Sequence, residues 1–179
     1  MLKKILLGIC VVIVILVIVI SLQPSTFSYA RTATFNAPAA TVFEQVNDLH
    51  KWQTWSPWAK IDPNAKTTFE GPASGVGAIF GWSGNNEVGE GRMTITESKP
   101  SELILMKLDF VKPFESTCTT EFTFKSNADK TTVTWKMSGN NNFIGKAISL
   151  FVNCEKMIGD QFEKGFDNLR GVLEKQNGK

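Results

Sequence analysis

The chain has 179 residues, with 19 Lys and Arg against 17 Asp and Glu, and Lys3 and Lys4 near the N-terminus account for the whole excess. Everything after residue 24 is electrically balanced, which gives no support to nucleic acid as a partner. A single histidine excludes a His-pair metal site, and no glycine-rich phosphate loop followed by Lys and Ser or Thr occurs, so the residues imply no metal and no cofactor.

Ile5 to Leu22 is an unbroken apolar run without a charge. At about 1.5 Å of rise per residue its helix would be roughly 27 Å long, close to the hydrocarbon thickness of a bilayer. A cleaved secretory signal usually has an apolar core of about 7 to 15 residues. Ser28-Tyr29-Ala30 has the small-x-small form of a cleavage site but lies beyond Pro24 inside a predicted strand, so the run reads as a membrane anchor rather than a removed signal. Lys3 and Lys4 before the run place the N-terminus in the cytoplasm and the rest across the inner membrane as a single-pass protein. Cys10, inside the run, is a small apolar filler. The expected organisation is therefore tip and anchor over 1–22, a linker over 23–27, one domain over 28–175 and a flexible tail over 176–179.

After the linker, Tyr29, Arg31, Ala33 and Phe35 alternate with polar or small residues and predict a strand with one covered face. Pro38 suits the start of a helix through Val42, Phe43 and Val46, and a second short helix runs from Leu49 to about Trp55, before Pro57. Strands follow at 66–70 and 77–83, with Gly84-Asn85-Asn86 as the hairpin. The next strand, 87–98, turns Met93 and Ile95 inward; 102–110 does the same with Ile104, Met106, Leu108 and Phe110. Phe114, Ser116, Cys118, Thr120, Phe122 and Phe124 share one face of the following strand, and Val133, Trp135 and Met137 supply the last inward set. From Asn142 the period becomes helical, with Ile148, Phe151, Glu155, Ile158, Phe162, Phe166, Leu169 and Leu173 spaced three or four apart. This predicts one long amphipathic helix, with Gly159 as the point where it would kink or split. A one-faced antiparallel sheet crossed by such a helix is an α+β arrangement.

Three stretches, FNAPAATVFEQVNDLHKWQTWSPW, GPASGVGAIFGWSGNNEVGEGRMTITESKP and MIGDQFEKGFDNLRGVLE, resemble the polyketide cyclase/dehydrase-like branch of the START and birch-pollen-allergen superfamily, SRPBCC. The resemblance runs from about residue 29 to 174. It implies a helix-grip fold, a curved antiparallel sheet wrapped around the long C-terminal helix, enclosing an apolar cavity for a lipid or another hydrophobic small molecule. It does not imply catalysis; a cyclase, dehydratase or hydrolase, and an interaction or stress-related domain without a ligand, stay open beside a binding module.

Taken alone, inward aromatic and Met residues are ordinary core. With the resemblance, the expected cavity lining is Phe80, Trp82, Met93, Met106, Phe110, Cys118, Phe122, Trp135 and Met137 from strands, and Phe151, Ile158 and Phe162 from the helix. Trp52, Trp55 and Trp58, with Arg31 and Glu87, are placed at the cavity mouth, where the tryptophans would gate a ligand, dip into nearby lipid or simply cap the sheet. Arg31 and Glu87 also suit an ion pair at the rim. Glu155, the one carboxylate on the helix stripe, is the single catalytic candidate, as an acid or base facing the cavity. Cys118 has no basic neighbour in sequence to activate it, and two thiols, Cys118 and Cys154, make no disulfide framework; geometry decides whether they pair.

Overall fold

The computed structural model describes residues 1–177, so the end of the expected tail, 178–179, lies outside the described residues. Helix α1 (Leu2–Ser21) leads into β1 (Thr26–Phe35), then α2 (Ala39–Asn47) and α3 (Leu49–Trp55). Strands β2 (Lys66–Glu70), β3 (Ile79–Ser83), β4 (Glu90–Lys99), β5 (Leu103–Lys112), β6 (Ser116–Asn127) and β7 (Lys130–Asn140) follow, and α4 (Phe143–Phe151) and α5 (Cys154–Asn177) close the chain. This is the α+β helix-grip architecture expected from the sequence.

All seven strands form one antiparallel sheet in the order β1-β7-β6-β5-β4-β3-β2. Inward residues meet across strands: Ile104 opposes Phe122, and Phe122 opposes Trp135. Alternation therefore puts Ile104, Met106, Leu108 and Phe110 of β5, with the large apolar side chains of β6 and β7, on the concave face, while Leu103, Leu105 and Val111 face the other way. A register shift between Ile95 and Glu97 bulges β4, which bends that strand and helps the sheet curl around α5.

The strand ends also fix the two ends of the molecule. Thr26 pairs with Asn140, Phe110 with Ser116, Glu90 with Lys112 and Lys66 with Ser83. The start of β1, the end of β7 and the β3–β4 and β5–β6 turns consequently lie on one rim. α1 enters and α4 leaves from that same rim.

Several boundaries differ from the sequence reading: β4 starts at Glu90 rather than Glu87, and α5 runs to Asn177, into the expected tail. Strand β1 begins at Thr26, inside the expected linker, because its first residues pair with the end of β7. The expected long helix is two helices, and the break falls at Val152-Asn153 rather than at Gly159. Asn142 caps α4 by accepting from the Gly145 N–H at 2.8 Å, and Asn153 accepts from the Lys156 N–H at 2.9 Å, starting α5. Gly159 has a different role. A Cβ there would collide with the guanidinium of Arg31, so glycine lets the arginine of β1 lie across the helix.

The core is built mainly where α2, α3 and α5 meet β1, β6 and β7. Trp55 is fully buried, and its indole N–H donates to the Gln45 carbonyl at 2.9 Å. Trp52 and Trp55 meet edge-on, and both approach Trp135, which stacks on Phe162 with centroids 4.1 Å apart. The Asn168 amide on α5 donates to the Trp55 carbonyl at 3.0 Å, tying the helix pair to the long helix.

Candidate functional site

Beyond this packed cluster, toward β3, β4 and β5, the concave face is not filled. A cavity of about 470 Å³ remains between those strands, α3 with the turn after it, and α5. Ligand pockets commonly fall between about 300 and 1,000 Å³. Phe80, Trp82, Met93, Leu108 and Phe110 form its sheet wall, Trp135 and Met137 its back, and Ile158 and Phe162 its helical side. The wall is aromatic and flexible, since Trp82 packs against Phe80 and Phe110 while the methionines adapt to shape. Ser56 and Thr120 are the buried polar lining residues.

The cavity opens through the β3–β4 turn, the β5–β6 turn and the loop before β2, where Pro63, Thr67, Glu87, Lys112 and Pro113 are its exposed members. The mouth therefore sits on the rim from which α1 emerges. Asp62 holds this opening in shape: one carboxylate oxygen accepts from the Asn85 N–H at 2.7 Å and the other from the Asn64 N–H at 3.0 Å. Gly89, at φ +70, closes the β3–β4 turn against the Lys112 carbonyl, where a Cβ has no room. Lys112 donates to Glu90 at 2.7 Å; that hydrogen bond, with the lysine's charge, holds the Glu90 carboxyl below its ordinary range.

Of the side chains expected to line the cavity, Phe80, Trp82, Met93, Phe110, Trp135, Met137, Ile158 and Phe162 do so. Met106 and Phe122 do not, because they are fully buried in the packed cluster. Cys118 is buried toward the rim opposite Gly139 of β7, outside the lining. Phe151 is 75% exposed, because α4 ends there instead of carrying the stripe inward.

Of the residues placed at the mouth, Trp58 and Glu87 line the cavity at partly exposed and exposed positions; Trp52 borders it from within the core, and Trp55 belongs to the core altogether. Arg31 faces α5 and pairs with Glu163 at 2.9 Å and Glu155 at 3.7 Å, not with Glu87. Glu155 has a side chain 67% exposed in the first turn of α5, so it points at Arg31 and solvent and not into the cavity. The sequence reading passed over Asp62, Lys112 and Gly89. Asp62-Pro63-Asn64 is an Asx-turn sequence, and that signal was available to it.

Burial, and next the negative charge of Asp109, pushes the Cys118 thiol up to about 12, which leaves it inert at neutral pH. Cys10, Cys118 and Cys154 are all free. Among the described residues, no three His, Cys, Asp or Glu side chains gather in a metal-holding group.

The family model described as polyketide cyclase / dehydrase and lipid transport matches residues 26–174. The chain belongs to that family. Solved structures with the same fold include protein CV1439 from Chromobacterium violaceum, 13% identical with a TM-score of 0.59, the alignment covering 85% of this chain and 99% of that one. CalU16 from Micromonospora echinospora is 14% identical at a TM-score of 0.55, over 82% of this chain and 73% of that one. Ms6760 from Mycobacterium smegmatis is 15% identical at 0.58, over 83% and 92%. No curated protein matches the chain. Membership in this family, on a fold with an apolar internal cavity, suggests a hydrophobic ligand-binding module.

Proposed function

We infer that the protein is a membrane-tethered, extracytoplasmic module that holds a hydrophobic small molecule or lipid in the cavity behind Glu87 and Lys112. The observation that carries this reading is the unfilled apolar space of about 470 Å³, open at one rim. A protein gains nothing in stability from leaving such a space empty, since each missing contact forfeits dispersion and burial energy. The lining divides into an apolar interior and a polar rim of Asp62, Glu87 and Lys112, which suits a guest with an oily body and one polar end.

Support for the tether comes from α1. Its 20 residues span about 30 Å as a helix, and all its large apolar side chains but Ile20 are exposed. Lys3 and Lys4 at its start support a cytoplasmic N-terminus by the positive-inside bias.

The test is to purify the full chain from membranes and to measure co-purified hydrophobic molecules by mass spectrometry. A Leu108→Trp, Met137→Trp variant, which fills the cavity, is treated identically. A molecule bound by the native chain and depleted from the variant is the expected result. Equal content in both, with the variant folded, would overturn the binding reading.

A further inference from the structure

We propose that α4 and the β5–β6 turn form a bilayer-docking surface, seated at the headgroup–acyl boundary of the same membrane that α1 crosses. The proposal rests on the reading of α1 as a membrane anchor and adds the orientation of the domain. Docked this way, the cavity mouth faces the leaflet.

Three observations carry it. The first is an exposed apolar face with no partner in the fold. Ile144, Ile148 and Phe151 fall at i, i+4 and i+7 on one side of α4, with Phe143 at its start; Phe151 is 75% exposed and Phe143 52%. On the neighbouring turn of the same rim, Val111 and Phe114 are also exposed, Phe114 at 49%. Between residues 143 and 152 there is no acidic residue, and the one charge is Lys146. An amphipathic helix of this kind lies in the plane of a membrane interface with its apolar side immersed by about 5 to 10 Å.

The second observation is continuity with the anchor. The Lys146 ammonium donates to the Ser21 carbonyl at the end of α1 at 3.1 Å, the Asn141 N–H donates to the Ser25 carbonyl at 2.8 Å, and its amide reaches the Pro24 carbonyl at 3.3 Å. Between the end of α1 and the start of β1 lie only Leu22 to Ser25, which stretch to at most about 14 Å. With α1 spanning the bilayer, α4 is held where the helix leaves the hydrocarbon. Lys146 and Lys112 then sit at the level of lipid phosphates.

The third is contrast with the other end of the sheet. There the β6–β7 turn is Asn127-Ala128-Asp129-Lys130, polar and exposed, and the β4–β5 turn is Lys99-Pro100-Ser101-Glu102. The β2–β3 loop at that end exposes Val76, with Phe69 near it on β2, while the larger group of exposed apolar side chains of the domain lies on the rim that carries the anchor and the mouth. A ligand leaving the bilayer would enter the cavity past Lys112 and Glu87 without crossing bulk water.

The test uses the full chain reconstituted in phosphatidylcholine–phosphatidylglycerol vesicles, with Cys10→Ser and Cys154→Ser and one new cysteine at a time carrying the environment-sensitive NBD fluorophore. Labels go at Ile13→Cys in α1, at Phe114→Cys, Ile144→Cys and Phe151→Cys on the proposed surface, and at Asp129→Cys on the far rim. The expected result is blue-shifted emission at Phe114, Ile144 and Phe151, quenched most by shallow doxyl-labelled lipids, with Ile13 quenched most by deep ones and Asp129 by neither. If Ile13 is quenched but the three surface labels report water, the docking surface is wrong while the anchor stands. Blue-shifted emission at the surface labels without lipid quenching assigns the patch to a protein, a second copy included, and overturns the proposal. If Ile13 also reports water, the anchor reading fails and the docking surface fails with it.

Discussion

The concave side of the sheet has two halves made from the same kinds of residue, and only one of them is filled. Under β6 and β7, Trp52, Trp55, Phe122, Trp135 and Phe162 pack ring against ring. Toward β3, β4 and β5, the equally apolar Phe80, Trp82, Met93, Leu108 and Phe110 face open space. The helices explain the difference: α2 contacts β6 and β7, α5 contacts β1, and α3 contacts α5, so α3 and α5 border the opposite half of the curl without packing down onto its strands. Cavity and core are therefore distinguished by what covers a residue rather than by its type.

The largest effect should come from breaking the filled half. Trp55→Ala removes a fully buried ring and the donor to the Gln45 carbonyl, and buried aromatic-to-Ala changes cost about 3–5 kcal/mol. Urea unfolding of the domain should show a loss of that size. A loss under about 1 kcal/mol would mean that the cluster is not the packed unit described.

Filling the open half should do the reverse, removing binding and sparing the fold. Leu108→Trp places a large ring in existing space, so its cost should fall below the about 1–3 kcal/mol of overpacking a filled core. Binding of a fluorescent hydrophobic probe should drop at least about tenfold, a difference of about 1.4 kcal/mol. The matching change in the filled half, Val133→Trp, should unfold the domain. If both substitutions cost the same, the two halves are not different in packing.

A smaller contrast concerns the face of α5 turned to β1. Arg31 is half-buried, but its partners Glu155 and Glu163 are largely exposed, so Arg31→Ala should cost no more than about 1 kcal/mol. Gly159→Ala alone should be neutral or destabilising, because the methyl displaces the guanidinium. Combined with Arg31→Ala, the same change should stabilise by up to about 1 kcal/mol, the helix preference for Ala over Gly. Additive effects in this cycle would sever the link between Gly159 and Arg31.

The sequence already carried the sheet, the helix pair and the inward parity of nearly every strand, because alternation of two is unambiguous where one face is covered. Met93 and Met106 show where that legibility ends. Both point inward, yet Met93 borders the cavity and Met106 is sealed in core, a difference set by distant helices that no local pattern encodes. Phe151 and Glu155 are another matter. Their expected inward placement came from running one helical period through Val152-Asn153, although Asn142 and Asn153 each supplied an N-cap for a helix of its own. With the break recognised, the period restarts and Glu155 falls in the first turn of α5, near Arg31.

Cys118 and Cys154 differ least in sequence and sharply in exposure, which makes them the finest probe of the same contrast. Cys154 is partly exposed, whereas Cys118 is buried between β5 and β7, its thiol raised to about 12 by burial and then by Asp109. In the folded chain at pH 8, a thiol reagent should modify Cys154 and leave Cys118 untouched until denaturant is added. The same shift makes stability depend on pH. An unfolded thiol loses its proton near pH 8.5 to 9, with about 8.5 the ordinary value, while the folded one keeps it to about 12, so the unfolded chain binds fewer protons in that window and stability falls as pH rises through it. Cys118→Ala should flatten that part of the alkaline decline. An unchanged slope, or modification of Cys118 in the native chain, would place the thiol at an accessible surface and open the packed half of the interior to solvent.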